Sequence, residues 1–274
     1  QQYARMALTP DVIYFSPLRA FYEIRIAEML VKYPKYHFLF SSCNRNFRIK
    51  KNASVQRWCG ACPKCAYTYL LFAAFLPKKK LVSIFGENLL MKETLFSTYK
   101  DILGFGAMKP FDCVGTFEET QAALYLARRC FSNSPVVKQF ISRIKTPAHL
   151  VTRATGVIDA PYTPARFRFL GMRNALILGY GKEGHATEIY LKNHFPQLRI
   201  GIRDQSQGAA YLKNQEKFDI AVKTPGIPRR LVTIPYTTAT NVFFSETHAK
   251  NMLVGVTGSK GKSTTASLIY AMLQ

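Results

Sequence analysis

The chain has 274 residues, of which 48% are hydrophobic and 20% charged, so it can form one large domain or two smaller ones with packed cores. It has no run of about 18 uncharged apolar residues and no secretory signal at its N-terminus, which argues against a membrane span and favours a cytoplasmic protein. The formal net charge of +22 favours anionic partners, either nucleotides or nucleic acid.

Short elements are predicted before and after the cysteine-rich segment. Residues 12–15 are typical of a strand, and apolar residues recur at helical spacing over residues 18–30. Residues 38–40 predict a second short strand. Three lysines at residues 78–80 follow a proline and predict a solvated turn, with a strand at residues 81–85 after it.

Four of the six cysteines lie within 23 residues: Cys43, Cys59, Cys62 and Cys65. Two overlapping C-x-x-C steps let three thiolates face one point, and Cys43 completes a tetrahedral shell of four sulfurs. Because four thiolates leave no open coordination position, we interpret the pattern as a structural zinc site. A redox C-x-x-C pair and an iron–sulfur cluster are the alternatives.

The segment RWCGACPKCAYTYLLFAAF resembles that of PP-loop pyrophosphatases of the 7-cyano-7-deazaguanine synthase type, and more closely that of glutamyl epimerases of the MurL type. The resemblance continues through GFGAMKPFDCVGTFEET and covers about residues 10–128. It implies a zinc-bearing, PP-loop-like portion that uses ATP to activate a glutamyl carboxylate and inverts the α-carbon. The Ser-Gly-Gly loop of those enzymes is then expected upstream of Gln1.

Epimerisation needs an acid or base group near the α-carbon of the glutamyl residue. The local candidates for this catalytic role are Cys113, Glu118 and Glu119, with Asp112 beside them. In the alternative interpretation, the two glutamates lie in the first turn of a helix, where carboxylates complement the dipole. Cys113 would then be a small buried residue.

Residues 146–171 contain three X-Pro steps and no sustained periodicity. This pattern predicts a linker, since residues before proline favour extended conformations. We therefore expect an epimerase-like portion over residues 1–145 and a linker over residues 146–171.

A glycine-rich turn follows the predicted strand at residues 174–178. It has the form G-x-G-x-x-G, precedes a predicted helix, and is followed by a second strand and an acidic residue twenty positions after Gly184. This order is typical of a Rossmann-like parallel sheet, whose turn binds a diphosphate at a helix start. We expect such a domain over residues 172–250, with ligand-binding residues Gly179, Gly181, Lys182, Glu183, Gly184 and Asp204. A nicotinamide dinucleotide and a UDP-sugar both fit this pattern.

The sequence VGVTGSKGKSTT predicts a strand, a phosphate loop and a helix, and with them the start of a P-loop ATPase domain over residues 251–274. Lys262 would reach the β- and γ-phosphates and act catalytically, and Ser263 would hold Mg²⁺. The expected ATP-binding residues are Thr257, Gly258, Ser259, Lys260, Gly261, Lys262, Ser263 and Thr264. A Gly/Ser-rich surface turn is the alternative.

TGSKGKSTT resembles the ATP loop of the Mur ligases, and FDIAVKTPGIP is similar to the S-P-G-I element of their MurD-type members. NVFFSETHAK resembles the segment that precedes their ATP loop. The resemblance implies ATP- and Mg²⁺-dependent ligation of glutamate to UDP-N-acetylmuramoyl-L-alanine, with Thr224, Pro225 and Gly226 also at the UDP-substrate. The rest of a ligase would lie beyond Gln274, so we expect an incomplete fragment that is inactive alone.

Together these patterns predict an α/β protein: a zinc-bearing PP-loop-like portion, a Rossmann-like domain and the start of a P-loop ATPase domain. The expected function is peptidoglycan precursor synthesis by a fused epimerase and ligase, with a UDP-N-acetylmuramoyl-peptide precursor and glutamate as partners. The sequence leaves L- or D-glutamate open as the ligase substrate. A zinc-containing nucleic-acid-binding module fused to an ATPase and an NAD-dependent dehydrogenase are the alternatives.

Overall fold

The structure is a computed structural model that describes residues 3, 6–7, 14–47, 57–111, 113–160, 163–247, 255–256 and 262–273. Of the predicted sites, Asp112 and residues 257–261 lie outside the described residues, as do the side chains of Lys262 and Ser263. Among the described residues, no helix is both long enough and apolar enough to cross a membrane.

The first part of the chain folds as helices around one apolar core. Helix α2 lies at the centre, with every residue from Cys65 to Ala73 buried, because its sequence is apolar on all sides. Helices α1, α3, α4 and α5 pack against it. Its α-helices in the described residues are α1 (Glu23–Leu30), α2 (Pro63–Ala73), α3 (Lys78–Phe85), α4 (Phe96–Ile102), α5 (Phe117–Phe131), α6 (Pro135–Phe140) and α7 (Pro147–Ala154).

Two of the predicted short strands are wrong. Residues 81–85 belong to α3, in which the buried residues Leu81, Ile84 and Phe85 recur at the spacing of one helix face. Gly86 follows α3 with a φ of 86°, a left-handed conformation that commonly ends helices. Residues 38 and 39 form a turn and residue 40 follows it without forming a strand. The Phe40 ring stacks on Phe72 of α2, with 5.5 Å between the ring centres.

Helix α7 lies in the range that we expected to be a linker. It packs on α5, and Ala154 is buried in the helical core. Pro147 occupies the first turn of α7, where its missing N–H costs no helical hydrogen bond. The division of the chain at residues 145 and 171 stays a prediction.

In the second part, the described residues form a sheet of four parallel strands in the order β2-β1-β3-β4. They are β1 (Asn174–Leu178), β2 (Arg199–Arg203), β3 (Ile220–Lys223) and β4 (Tyr236–Thr237), accompanied by α8 (Lys182–His194) and α9 (Ala239–Thr247). Both faces are covered, since Ala175 and Ile177 lie in one apolar cluster and Leu176 and Leu178 in another. The predicted α/β class with a parallel sheet is confirmed.

Helix α10 (Lys262–Leu273) begins where the sequence predicts a helix after the ATP loop. Its exposed side chains include Leu268, Tyr270 and Met272.

An ionic junction joins the helical part to the sheet. The guanidinium of Arg25 in α1 is buried; it donates to Glu28 Oε2 at 2.7 Å and to the Gly171 carbonyl at 3.1 Å. Glu28 also accepts a hydrogen bond from Arg173, the residue before β1. One carboxylate therefore joins two cationic side chains, one from each part of the chain.

We expect Glu28→Gln to lower the free energy of unfolding by about 2–3 kcal/mol, because the buried Arg25 guanidinium would lose its charged partner. The matched control is Glu87→Gln, whose carboxylate pairs with Lys92 at an exposed position and should cost less than about 1 kcal/mol. Urea unfolding followed by circular dichroism measures both variants. Equal effects would contradict a structural role for this junction.

Candidate functional site

The four predicted ligand cysteines come together at the start of α2. Their sulfur atoms all lie within 4.8 Å of one another. The Sγ–Sγ distances are 3.4 Å for Cys62–Cys65, 3.7 Å for Cys59–Cys65 and 4.0 Å for Cys43–Cys62. These distances are much longer than the ~2.05 Å of a disulfide bond, so the cysteines are free thiols.

Local backbone geometry explains how the cysteines converge. Cys62 precedes α2 as its N-terminal cap and Cys65 lies in the first turn. Gly60 has a φ of 60°, a left-handed conformation that glycine adopts without strain and that turns the chain between Cys59 and Cys62. Ser41 Oγ donates to the Arg57 carbonyl at 2.7 Å and accepts from Cys43 N–H at 3.2 Å, which ties the first ligand to the other three.

The electrostatics of the cluster favour a bound cation. The hydrogen bond between the Cys62 and Cys65 sulfur atoms lowers the pKa of Cys62 to about 4 and raises the pKa of Cys65. Burial raises the pKa of Cys59. Four thiolates cannot share this space without a positive charge, since like charges at such distances disfavour ionisation.

A single metal ion fits the geometry. A tetrahedral ion with metal–sulfur bonds of ~2.3 Å has sulfur–sulfur edges of about 3.8 Å, and the three quoted distances range from 3.4 to 4.0 Å. The four cysteines could therefore hold one metal ion, and their thiolates would fill its coordination shell.

We expect the purified chain to carry one metal ion per molecule, identified and counted by inductively coupled plasma mass spectrometry after dialysis. Cys62→Ser should lower the metal content at least about tenfold, because one of four ligands is lost. Cys130→Ser is the matched control, since this exposed cysteine lies outside the cluster. A metal-free parent chain would contradict the assignment.

The three candidate acid–base residues lie at the start of α5 in different environments. Cys113 and Glu118 are exposed. Glu119 is only 3% exposed, and both of its carboxylate oxygens accept backbone N–H groups, from Glu23 at 2.6 Å and from Thr116 at 2.7 Å. Glu119 therefore joins the starts of α1 and α5.

A buried tyrosine lies beside Glu119 where α1 and α5 begin. Tyr67 of α2 is 1% exposed, and burial together with the negative charge of Glu119 raises its pKa. Gly115 lies so close that an added Cβ would be 2.1 Å from the Tyr67 hydroxyl oxygen, which leaves room only for glycine. The sequence alone does not indicate Tyr67, since it lies about 50 residues from the glutamates along the chain.

We expect Glu119→Gln to lower the free energy of unfolding by about 1–3 kcal/mol, because a glutamine amide group would face a backbone N–H that the carboxylate now satisfies. Glu118→Gln makes the same chemical change at an exposed neighbouring position and should cost less than about 0.5 kcal/mol. Urea unfolding measures both. Equal costs would contradict the role of Glu119 in joining the two helices.

The predicted phosphate-type turn lies where β1 and β3 end side by side. Strand order changes direction between β1 and β3, and α/β sheets bind ligands in the crevice at such a switch point. Gly179 has a φ of 92°, and an added Cβ would be 2.1 Å from Thr224 Oγ1. The structure thus brings the glycine turn into contact with Thr224. Thr224 is the first residue of the segment at residues 224–226, which is similar to the S-P-G-I element.

The other glycines of the turn have distinct environments. Gly184 packs against the Gly179 carbonyl, to which an added Cβ would approach within 2.3 Å, so α8 begins close to β1. Gly181 caps α8 without a side-chain hydrogen bond, and an added Cβ there would meet nothing within 4 Å. The open side of the turn is therefore at Gly181, and Lys182 and Glu183 beside it are exposed.

Asp204 lies beside the same turn at the end of β2. Its carboxylate accepts Tyr180 N–H at 2.7 Å and Ser206 N–H at 3.0 Å. The hydrogen bonds from Ser206 and Tyr180 lower the pKa of this carboxyl. Asp204 thus fixes the glycine turn to β2, while Pro225 and Gly226 are exposed beyond β3.

A cavity of about 600 Å³ lies between α8 and α9. Phe169, Leu191 and Val242 contribute apolar lining, and Tyr190 donates a hydrogen bond to Glu246 at 2.7 Å. Ser245, next to Glu246, accepts a hydrogen bond from Arg166 N–H at 3.0 Å. No sequence pattern indicates this cavity, because its lining comes from three separate segments.

Comparison with known proteins shows similarity to two classes of enzyme of peptidoglycan precursor synthesis, an epimerase and amino-acid ligases. Residues 39–154 match the family model described as the MurL C-terminal domain, which covers the cysteine cluster and the start of α5. The UDP-N-acetyl-alpha-D-muramoyl-L-alanyl-L-glutamate epimerase of Xanthomonas oryzae pv. oryzae is 43% identical over 145 residues, 52% of this chain and 32% of that protein.

The similarity to ligases is weaker. The UDP-N-acetylmuramoylalanine–D-glutamate ligase of Bacillus velezensis is 30% identical over 135 residues, 39% of this chain and 29% of that protein. The UDP-N-acetylmuramoyl-L-alanine–L-glutamate ligase of Micromonospora sp. is 30% identical over 129 residues, 37% and 28% of the two chains. The chain spans about a third of the length of the curated relatives that it matches. No solved structure matches it. The resemblances to MurL-type epimerases and to Mur ligases are confirmed, and the resemblance to PP-loop pyrophosphatases stays a prediction.

Proposed function

We propose that this chain is part of a fused enzyme that ligates glutamate to UDP-N-acetylmuramoyl-L-alanine and epimerises the glutamyl residue. The observation that carries the proposal is the 43% identity to an epimerase over 145 residues, beside the weaker ligase similarity in the same chain. The two reactions would follow one another on one nucleotide sugar, which gives a reason for joining them.

The reactions named for the relatives support this order. The epimerase acts on an L-alanyl-L-glutamate substrate, and one of the ligases adds L-glutamate to UDP-N-acetylmuramoyl-L-alanine. The product of such a ligase is the substrate of such an epimerase. Since another related ligase adds D-glutamate, the stereochemistry of the added amino acid stays open for this chain.

In the helical part, we propose that the four cysteines hold structural zinc. Four soft thiolate ligands at tetrahedral spacing suit Zn²⁺ and leave no position for substrate. Cys113 and Glu118 are then the acid–base candidates for the glutamyl α-carbon, since both are exposed. Glu119 has both oxygens occupied by backbone N–H groups, which supports a positioning role for it.

In the second part, we propose that the switch point binds the UDP moiety of the substrate. The first N–H groups of a helix have no partner within it, so the start of α8 and the open space at Gly181 suit a diphosphate. The side of this site opposite α8 would be lined by Thr224, Pro225 and Gly226. Asp204 supports the turn from behind through Tyr180 N–H.

The ATP loop is proposed from its sequence, with Lys262 at the phosphates and Ser263 at Mg²⁺. ATP would supply the phosphoryl group that activates a substrate carboxylate. A lysine beside the transferring phosphoryl group stabilises the charge that develops on it.

A thermal-shift experiment on the whole chain tests the nucleotide-sugar assignment. We expect saturating UDP-N-acetylmuramoyl-L-alanine to raise Tm by at least about 2 °C, since a ligand at 100 times its Kd stabilises by about 2.7 kcal/mol. Gly181→Val should abolish the shift, because its side chain would occupy the open side of the turn. The ligand-free Tm should change little, since an added Cβ meets no neighbouring atom.

Asn193→Val, an exposed position at the other end of α8, is the matched control and should keep the ligand-induced shift. NAD and a single-stranded oligonucleotide are the competing ligands. Stabilisation by NAD alone would support the dehydrogenase alternative, and stabilisation by the oligonucleotide alone would support the nucleic-acid-binding alternative. Either result would overturn the proposal.

A further inference from the structure

A surface on the helical part combines lysines with exposed apolar side chains. It comprises the turn around Pro34–Tyr36 and the first turn of α3, and we call it the lysine–aromatic surface. Its lysines are Lys32, Lys35, Lys78, Lys79 and Lys80, and its other members are Tyr33, Tyr36, Phe38 and Leu39.

A contact between the two segments makes this surface continuous, since Lys80 Nζ of α3 lies 4.9 Å from the centre of the Phe38 ring. Within the turn, Lys35 Nζ lies 4.9 Å from the centre of the Tyr36 ring. The buried His37 contacts Phe72 of α2 edge-on, at 6.4 Å between ring centres. The turn is therefore anchored from below while its other side chains face solvent.

The charge of this region is one-sided. Residues 29–86 contain eleven basic residues and no acidic residue. In the described part of the chain, none of the five lysines of the surface forms an ion pair. Lys78, Lys79 and Lys80 lie in the first turn of α3, where the helix dipole is itself positive. The surface therefore carries a positive potential that an anionic partner would neutralise.

The apolar side chains indicate the kind of anionic partner. Leu39 is 72% exposed, Tyr33 55% and Phe38 43%. Large apolar side chains beside lysines are typical of surfaces that enter the headgroup region of a bilayer. The five cations are all lysines, whereas arginine makes the bidentate contacts of nucleic-acid recognition, and Leu39 has no ring on which a base could stack.

We propose that the lysine–aromatic surface binds the anionic face of a phospholipid bilayer. Phe38 and Leu39 enter the interface, and the five lysines lie beside the headgroups. This surface shares no residue with the cysteine cluster or with the glycine turn, so the proposal does not depend on the reaction proposed above.

Co-sedimentation of the whole chain with vesicles tests this. Vesicles of phosphatidylcholine and phosphatidylglycerol at 3:1 should bind the chain at least about tenfold more tightly than phosphatidylcholine alone, and 0.5 M salt should weaken the binding. The double variant Lys78→Glu/Lys79→Glu should bind at least about tenfold more weakly. Phe38→Ser/Leu39→Ser should also reduce binding, since the apolar insertion is lost.

The matched control is Lys213→Glu/Lys217→Glu, which makes the same charge change at two exposed lysines of the second part. It should bind vesicles like the parent chain. Equal losses in the two charge-reversal variants would overturn the proposal, because net charge alone would then explain binding. Binding to a 20-nucleotide oligo-dT that is tighter than to the vesicles, and lost in Lys78→Glu/Lys79→Glu, would assign the surface to nucleic acid instead.

Discussion

The burial of α2 is the constraint on which the helical part depends. Every residue from Cys65 to Ala73 is buried, and each large apolar side chain removed from water contributes about 1.5–3 kcal/mol. A helix that is apolar on all sides has no face for solvent, so other helices must surround it. The same helix places Cys62 and Cys65 at its start, so the packing of the core and the geometry of the metal centre are set together.

Motifs whose chemistry fixes their spacing could be predicted from the sequence. The cysteine cluster and the glycine turn after β1 lie where predicted, because ligand geometry and a sharp strand-to-helix turn admit few residue types. Short apolar runs carried less information, because residues 81–85 suit a strand or a buried helix face equally well. Their packing against the core favours the helix, and they form part of α3. Proline steps also carried less information, since Pro147 begins a helix within the range predicted to be a linker.

Long-range contacts explain what the sequence did not indicate. Arg173 and Glu28 are separated by 145 positions, and neither has a neighbouring sequence pattern that would suggest its partner. In the sequence, Glu118 and Glu119 are two similar glutamates at the start of a helix. In the structure, Glu119 is buried between two backbone N–H groups, whereas Glu118 is exposed. The contact of Gly179 with Thr224 likewise depends on how the strands are ordered. Such roles follow from tertiary structure and not from residue type.

The shared carboxylate of Glu28 has a consequence for how this chain can change over evolutionary time. Glu28 belongs to α1, whereas Arg173, one of its two cationic partners, precedes β1. The helical part and the sheet part are therefore complementary in charge at this contact. Recombination that replaced either part with that of a distant relative would leave Glu28 or Arg173 without its charged partner. The two halves are therefore expected to be inherited, and to diverge, as one unit.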